Sequence, residues 1–265
     1  MKKILLFFAG LIFLSSSLFS QSADDIMKKS LALDLPDYIS GSLFLDLLDK
    51  SGNVSEHRLV NIYGDKKENL RHLVFDFRSP SAVKDTRILQ AGKNGQEDEK
   101  WIYLPSLKSI RRVANSERSK SFVGSEFSFN DFSFKYFGDD SYEMLDKNVN
   151  ICIGTKEENL WKIKVTPKQK KNLEYSYLVK YIDKISYLPL IEEYYDKNDN
   201  LIKLKTVIKH QRVKGETGKN YWLKKEVRIE NRLTGRASRL IFDKFVFDKE
   251  ISDHYFTQAW LESGK

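Results

Sequence analysis

Residues 201–209 read LIKLKTVIK, a stretch in which apolar and polar side chains alternate. The apolar set is Ile202, Leu204, Thr206 and Ile208, and the basic set is Lys203, Lys205 and Lys209. A period of two predicts a β-strand with one apolar face and one solvated face. The same alternation occurs around Phe75 and around Ile163.

Similar runs extend in both directions along the chain. They lie at 38–48, 54–63, 87–91, 99–104, 142–148, 175–182, 190–195, 221–231 and 237–247. Turn-forming sequences such as Asn94-Gly95 and the acidic, Asn-rich stretch 196–200 separate them. About eleven strands at this spacing predict a mainly β (α+β) fold, an antiparallel meander in one large twisted sheet or an open barrel.

The composition is that of a globular protein. The 265 residues are 41% hydrophobic and 31% charged, and the chain has a single cysteine, Cys152. One cysteine excludes an internal disulfide and Cys-rich zinc modules, and its strand-like setting predicts a small buried side chain. No linker or repeat divides the chain, so we expect residues 21–265 to form a single domain.

The N-terminus has the pattern of a secretory signal peptide. Lys2 and Lys3 precede an apolar run at 4–14 and then small residues, which predicts a signal peptide at 1–20 with cleavage as late as residue 22. An uncleaved anchor is the alternative interpretation. No cysteine follows the apolar run, so no lipobox is expected. Loss of the two lysines lowers the net charge from +8 to +6, and export to the periplasm argues against nucleic acid as the basic protein's partner.

A short amphipathic helix is predicted directly after this segment, at 23–34. Ser22 can cap it, Asp24 and Asp25 lie in its first turn, and Pro36 follows it. Because its apolar residues need a partner, we expect the helix to cover part of the opening of the sheet.

Catalytic motifs are missing from the sequence. The four histidines are isolated, and neither a P-loop, a nucleophile elbow nor a dinucleotide-binding glycine motif occurs. We therefore expect a protein that is not an enzyme and that needs no metal or cofactor. A hydrolase whose site is assembled from distant residues remains a weaker hypothesis.

The interval 105–140 lacks sustained alternation and is the candidate binding segment. Its cations Lys108, Arg111, Arg112, Arg118 and Lys120 precede a group of aromatic residues: Phe122, Phe127, Phe129, Phe132 and Phe134. Trp101 and Tyr103 lie just before it. Cations suit a phosphate or another acid, and aromatic rings suit acyl chains. The cations are therefore the candidates for headgroup or partner contacts, and the aromatic residues are the candidates for lipid binding or for a lid over the binding site. The alternative is a basic surface hairpin followed by core aromatics.

Residues 101–131, WIYLPSLKSIRRVANSERSKSFVGSEFSFND, also resemble the signature of the outer-membrane lipoprotein-sorting protein family. That family is related in fold to the periplasmic carrier LolA and the receptor LolB. Further family-like stretches lie at 77–86 and 187–196. The sequence departs from the family pattern at Val123, Glu126, Phe129 and Asn130.

The resemblance implies a half-open β-barrel with a few covering helices and an apolar concave face. It implies a monomeric periplasmic carrier that moves a lipid or lipoprotein acyl chain between membranes, toward the outer membrane. An inner-membrane exporter and an outer-membrane acceptor would be its partners. The alternative function is an exported, non-enzymatic β-domain that binds a protein or a polysaccharide on its exposed face.

Overall fold

The computed structural model describes residues 21–67, 70–93, 96–169 and 172–265, so the predicted signal peptide at 1–20 lies outside the described residues. Over these ranges the strands are β1 Tyr38–Leu48, β2 Val54–Lys67, β3 Leu70–Ser79, β4 Arg87–Lys93, β5 Gln96–Leu104, β6 Ser109–Arg112, β7 Asp140–Ile153, β8 Lys156–Pro167, β9 Tyr177–Asp183, β10 Pro189–Tyr195, β11 Leu201–Lys214, β12 Asn220–Asn231 and β13 Ala237–Phe247. The helices are α1 Ala23–Leu31 and α2 Gln258–Ser263, with 3-10 turns at Asn115–Glu117, Phe129–Phe132 and Asp253–Phe256.

All the described strands belong to one antiparallel sheet, a half-open barrel. Their order is β6-β5-β4-β3-β2-β1-β13-β12-β11-β10-β9-β8-β7. The sequence predicted about eleven strands, and the structure has thirteen over the described ranges. One difference is β6, four residues long and inside the interval that lacked alternation. Two consecutive meanders therefore meet where β1 pairs with β13, with Leu45 opposite Leu240.

Strand register defines one inner face across the whole sheet. In the first meander this face carries the buried side chains of Leu45, Ile62, Phe75 and Ile88. In the second meander it continues through residues that lie opposite one another on neighbouring strands: Val227 and Val207, Lys205 and Glu192, Glu192 and Lys180, and Lys180 and Ile163.

The alternation of β11 was interpreted wrongly at Lys203 and Lys205, whereas Ile202 is buried and Lys209 is exposed, as predicted. Lys203 and Lys205 lie on the inner face, each with a side chain only 14% exposed, whereas the sequence placed them on the solvated face. In β8 the prediction was correct, because Ile163 and Val165 are buried on the inner face. The difference arises because both lysines of β11 have carboxylate partners on the inner side, Glu174 and Glu192.

Helix α1 covers part of the inner face, as predicted. Ile26 and Met27 are buried and pack with Ile163 and Val165 of β8. Ser22 caps the helix in a reciprocal capping box with Asp25. The helix ends at Leu31, three residues earlier than predicted.

The outer face of the first meander is covered by the C-terminal segment. Trp260 and Leu261 of α2 are buried against Val74 and Leu89. Over the described ranges no helix has the length and apolar character needed to cross a membrane. Cys152 is exposed on β7, so the prediction of a buried cysteine was wrong; β7 is an edge strand and leaves this residue uncovered.

Candidate functional site

The chain between β6 and β7 is forced by topology to cross the inner face. These two strands are the opposite edges of the sheet, yet they are consecutive in sequence. We call residues 113–137 the crossing segment. It contains most of the interval that the sequence singled out, and it forms a cover over the open side of the first meander.

Four phenylalanines of the crossing segment fill the inner face. The Phe122 ring centroid lies 4.4 Å from that of Phe132, 5.1 Å from Phe75 and 5.4 Å from Phe129. Phe122 is only 3% exposed and Phe127 only 2%, whereas Phe132 is partly exposed. In this closed arrangement Phe122 and Phe127 are core side chains, and Phe132 is the ring nearest to solvent.

The Asp131 carboxylate caps the turn that carries these rings, accepting from both the backbone N–H and the hydroxyl of Ser128. The Ser128 backbone N–H donates to the Asp131 carboxylate over 2.7 Å, at the start of the 3-10 turn Phe129–Phe132. The sequence predicted a cap at Ser128 or Asn130, and the structure places it at Ser128. Val123 and Gly124 both have positive φ, 49° and 77°, and this turn directs Phe122 and Phe127 to the same side.

Polar contacts fasten the crossing segment to the sheet on both sides. They are Gln90 Nε2 to Phe132 O at 2.7 Å, Asn231 Nδ2 to Glu126 Oε2 at 2.9 Å, Glu126 N to Ser238 Oγ at 3.0 Å, Tyr194 Oη to Asp131 Oδ1 at 2.6 Å, and Arg58 Nη1 to the Val123 carbonyl. The segment is therefore held by directional bonds at several points, in addition to ring packing.

A cavity of about 440 Å³ remains at the edge of this cover. Its volume falls in the range of small-molecule sites, about 300–1,000 Å³. It lies between the β3–β4 connection, the end of β5 and the crossing segment. Its apolar lining is Ala82, Val83, Ile102, Leu104, Pro105, Val123 and Phe129.

Charged side chains surround the same cavity. Lys84, Arg111 and Lys120 contribute three cations, and Glu117 contributes one carboxylate. Glu117 accepts from Arg111 over 2.8 Å and from Lys120 over 3.1 Å. The bonds from Lys120 and Arg111 hold the pKa of Glu117 below its usual range. An apolar lining beside a net positive rim is suited to an anionic amphiphile.

The structure separates the predicted cationic residues. Arg111 points to the inner side and lines the cavity, while Arg112 points outward and pairs with Glu99 over 3.0 Å. Both side chains are about half exposed. Lys108 lies in the exposed β5–β6 turn with a φ of 47°.

Arg118, predicted to contact a headgroup or a partner, is buried in the structure. Its side chain is 7% exposed, and it donates to the carboxylate and the carbonyl oxygen of Asp98. Lys100, 2% exposed, pairs with the same carboxylate. Burial lowers the pKa of Lys100 to about 8, although Asp98 opposes the shift. This cluster anchors the crossing segment to β5.

The predicted aromatic residues also divide into two groups. Trp101 and Tyr103 lie on the outer face, in the cluster formed by α2, and Arg87 lies over the Tyr103 ring at 5.4 Å. Phe134 lies under the Arg71 guanidinium at 5.0 Å. The structure thus brings Phe122, Phe127, Phe129 and Phe132 together and leaves the other three apart.

Sequence reasoning missed the inner-face lysines and the β3–β4 connection. Lys84 and Val83 belong to a stretch that was noted only for its resemblance to the family. Over the described residues no group of three or more His, Cys, Asp or Glu side chains could hold a metal ion.

The half-open barrel with a covered inner face defines the LolA-like class of folds. A domain from Vibrio parahaemolyticus, provisionally described as an outer membrane lipoprotein-sorting protein, has a TM-score of 0.78 at 23% identity, covering 91% of this chain and 98% of that one. A DUF1329 family protein from Desulfovibrio piger gives 0.78 at 22%, covering 90% and 97%. A LolA superfamily protein from Nitrosomonas europaea gives 0.65 at 16%, covering 91% and 100%. At these identities the likeness concerns the fold.

A family model described as "Uncharacterized protein" matches residues 70–263. The match spans more than half of the chain, so the chain belongs to that family. None of the curated proteins matches the sequence.

Proposed function

We propose that this protein is a periplasmic carrier that binds a lipid or lipoprotein acyl chain on its inner face and moves it between membranes. Export by the N-terminal segment, receipt from an inner-membrane exporter and delivery to an outer-membrane acceptor belong to the same proposal. The carriage requires no bond to be made or broken. The single observation that carries the proposal is the cavity with an apolar lining and a cationic rim, beside the crossing segment.

The energetics of carriage agree with this arrangement. Transfer of an acyl chain from water to an apolar surface is favourable by about 0.8 kcal/mol of free energy per CH₂ group. Non-directional apolar contacts therefore give sufficient affinity. Phe129 lines the cavity and packs against Phe122, which in turn packs against Phe132. Movement of the crossing segment would lengthen the cavity into a groove, and its return would exclude water from the chain.

Organic extraction of the protein purified from the periplasm tests the proposal directly. We expect lipid mass spectrometry to find a stoichiometric amphiphile that is absent from a signal-peptide-deleted preparation made in the cytoplasm. A protein that carries no amphiphile, and that binds none when offered phospholipid micelles, would contradict the proposal. Binding of a protein or polysaccharide by such an empty protein would favour the alternative β-domain function.

Two neighbouring arginines provide a matched comparison at the cavity. We expect Arg111→Ala to weaken retention of the extracted amphiphile several-fold, because this side chain lines the cavity. Arg112→Ala should leave retention within twofold, because its side chain lies on the other face. Both are surface charges, so each should change the free energy of unfolding by less than about 1 kcal/mol. Equal retention by the two variants would remove Arg111 from the site.

A further inference from the structure

A row of charged side chains crosses the inner face away from the cavity. Lys180 of β9, Glu192 of β10 and Lys205 of β11 lie opposite one another in register. The Lys180 ammonium lies 3.3 Å from one Glu192 oxygen, and the Lys205 ammonium lies 2.9 Å from the other. The three side chains are between 7% and 14% exposed. Lysine side chains are rarely buried to this extent in the middle of a sheet face unless they have an ion-pair partner.

Lys224 of β12 lies opposite His210, outside this register, and its ammonium is a third positive charge close to the row. Its charge interacts with Glu192, Lys205 and Lys180. Burial, followed by the two neighbouring lysines, lowers its pKa to about 8 although Glu192 opposes the shift. It forms no ion pair or hydrogen bond with any residue that the structure describes. Lys224 is therefore a partly buried cation without an ion-pair partner among the described residues.

The second carboxylate of the row comes from the crossing segment. Asp131 Oδ1 lies 3.7 Å from the Lys205 ammonium and accepts a hydrogen bond from Tyr194 over 2.6 Å. Lys180 and Lys205 thus have carboxylate partners, and the Asp140 carboxylate also interacts with Lys180. The charge of Lys224 has no ion-pair partner among the described residues, and in a place of low dielectric its interaction with an incoming anion is strong.

We infer that Lys180, Lys205 and Lys224 form a binding site for the phosphate headgroup of an amphiphilic ligand that carries a net negative charge. The inference rests on the proposed function and assigns the cargo a chemical class. Lysine ammonium groups bind phosphate as flexible point charges, and the buried side chains of Leu190 and Val207 on neighbouring strands offer apolar surface to the tail. Since Asp131 occupies one lysine in the closed arrangement, a bound phosphate would compete with it and loosen the 3-10 turn that carries Phe129 and Phe132.

The test compares Lys224→Met with Lys225→Met, its neighbour on the same strand, whose ammonium donates to the Asp243 carbonyl at the surface over 3.0 Å. The probes are dihexanoyl phosphatidylglycerol, dihexanoyl phosphatidylcholine and inorganic phosphate, each titrated calorimetrically into the delipidated full-length mature chain. We expect the parent protein to bind the phosphatidylglycerol more tightly than the phosphatidylcholine. Lys224→Met should bind the phosphatidylglycerol at least tenfold more weakly, and Lys225→Met should bind it within twofold of the parent.

Thermal melting separates a lost site from a damaged fold. Lys224→Met removes an uncompensated covered charge, so it should melt at the same temperature as the parent or higher. Equal binding of both lipids by all three proteins would overturn the inference while leaving the carrier proposal intact. If the protein bound inorganic phosphate as tightly as the phosphatidylglycerol, the inference would also be overturned, in favour of a site for free phosphate. A chain that fails to bind any amphiphile contradicts the carrier proposal itself.

Discussion

Replacing Phe122 by Ala is expected to lower the free energy of unfolding by about 3–5 kcal/mol. This ring is 3% exposed and lies within 6.1 Å, centroid to centroid, of four other phenylalanine rings: Phe75, Phe77, Phe129 and Phe132. Its removal leaves a void that this crowded cluster cannot collapse to fill. Urea unfolding followed by circular dichroism measures the change.

Phe132→Ala is the matched variant from the same cluster. Its ring is partly exposed and sits on the short turn, so its loss should cost less stability and should weaken amphiphile retention more. Parallel losses of stability in Phe122→Ala, Phe127→Ala, Phe129→Ala and Phe132→Ala, with retention unchanged in each, would make the crossing segment a fixed core. A change of less than 1 kcal/mol in Phe122→Ala would contradict the closed packing described here.

Asp98→Ala is expected to be at least as damaging, with a loss of about 3–5 kcal/mol at pH 7. The carboxylate serves two covered cations, Lys100 and Arg118, whose side chains are 2% and 7% exposed. Without it Lys100 has no carboxylate partner, Arg118 keeps only the exposed Glu97 at 3.5 Å, and the crossing segment loses its buried anchor on β5. Chemical denaturation at neutral pH measures the loss.

Glu99→Ala provides the control on the adjacent residue. Glu99 points to the other face of β5 and pairs with two exposed cations, Lys93 and Arg112. Surface pairs of this kind contribute about 0–1 kcal/mol. Similar losses in the two variants would show that the Asp98 cluster is not the anchor.

Period-two alternation was sufficient to predict the sheet but insufficient to orient every strand. Ile163 and Phe75 were assigned to buried faces correctly because their strands pair apolar side chains with a covered side. Lys205 was assigned wrongly because a lysine that meets Glu192 and Asp131 has the same sequence pattern as a lysine in water. The partners come from β10 and from the crossing segment, and local periodicity contains no information about them.

The crossing segment shows the same limit at the level of topology. Its aromatic and basic composition predicted a binding element, and the start of the 3-10 turn at Ser128 could be anticipated from local rules. The path of the segment could not be anticipated, because it depends on β6 and β7 becoming opposite edges of one sheet. Arg118 is an example of a residue that was misassigned for this reason. In sequence it belongs to a surface-like basic run, but the crossing of the sheet places it against Asp98.

The pairing of β1 with β13 also constrains how the chain acquires its fold. Arg239 of β13 contacts Asp46 of β1 although 193 positions separate them. The hairpins of each meander can form locally, but β1 keeps an unpaired edge until the last strand has been made. Contacts of such high sequence separation slow folding, and an open apolar edge is prone to pair with other chains. Newly made chains that lack residues 237–247 therefore contain two separate meanders whose edges β1 and β12 are unpaired and prone to aggregation. The C-terminal tenth of the sequence determines when the two meanders join into one sheet.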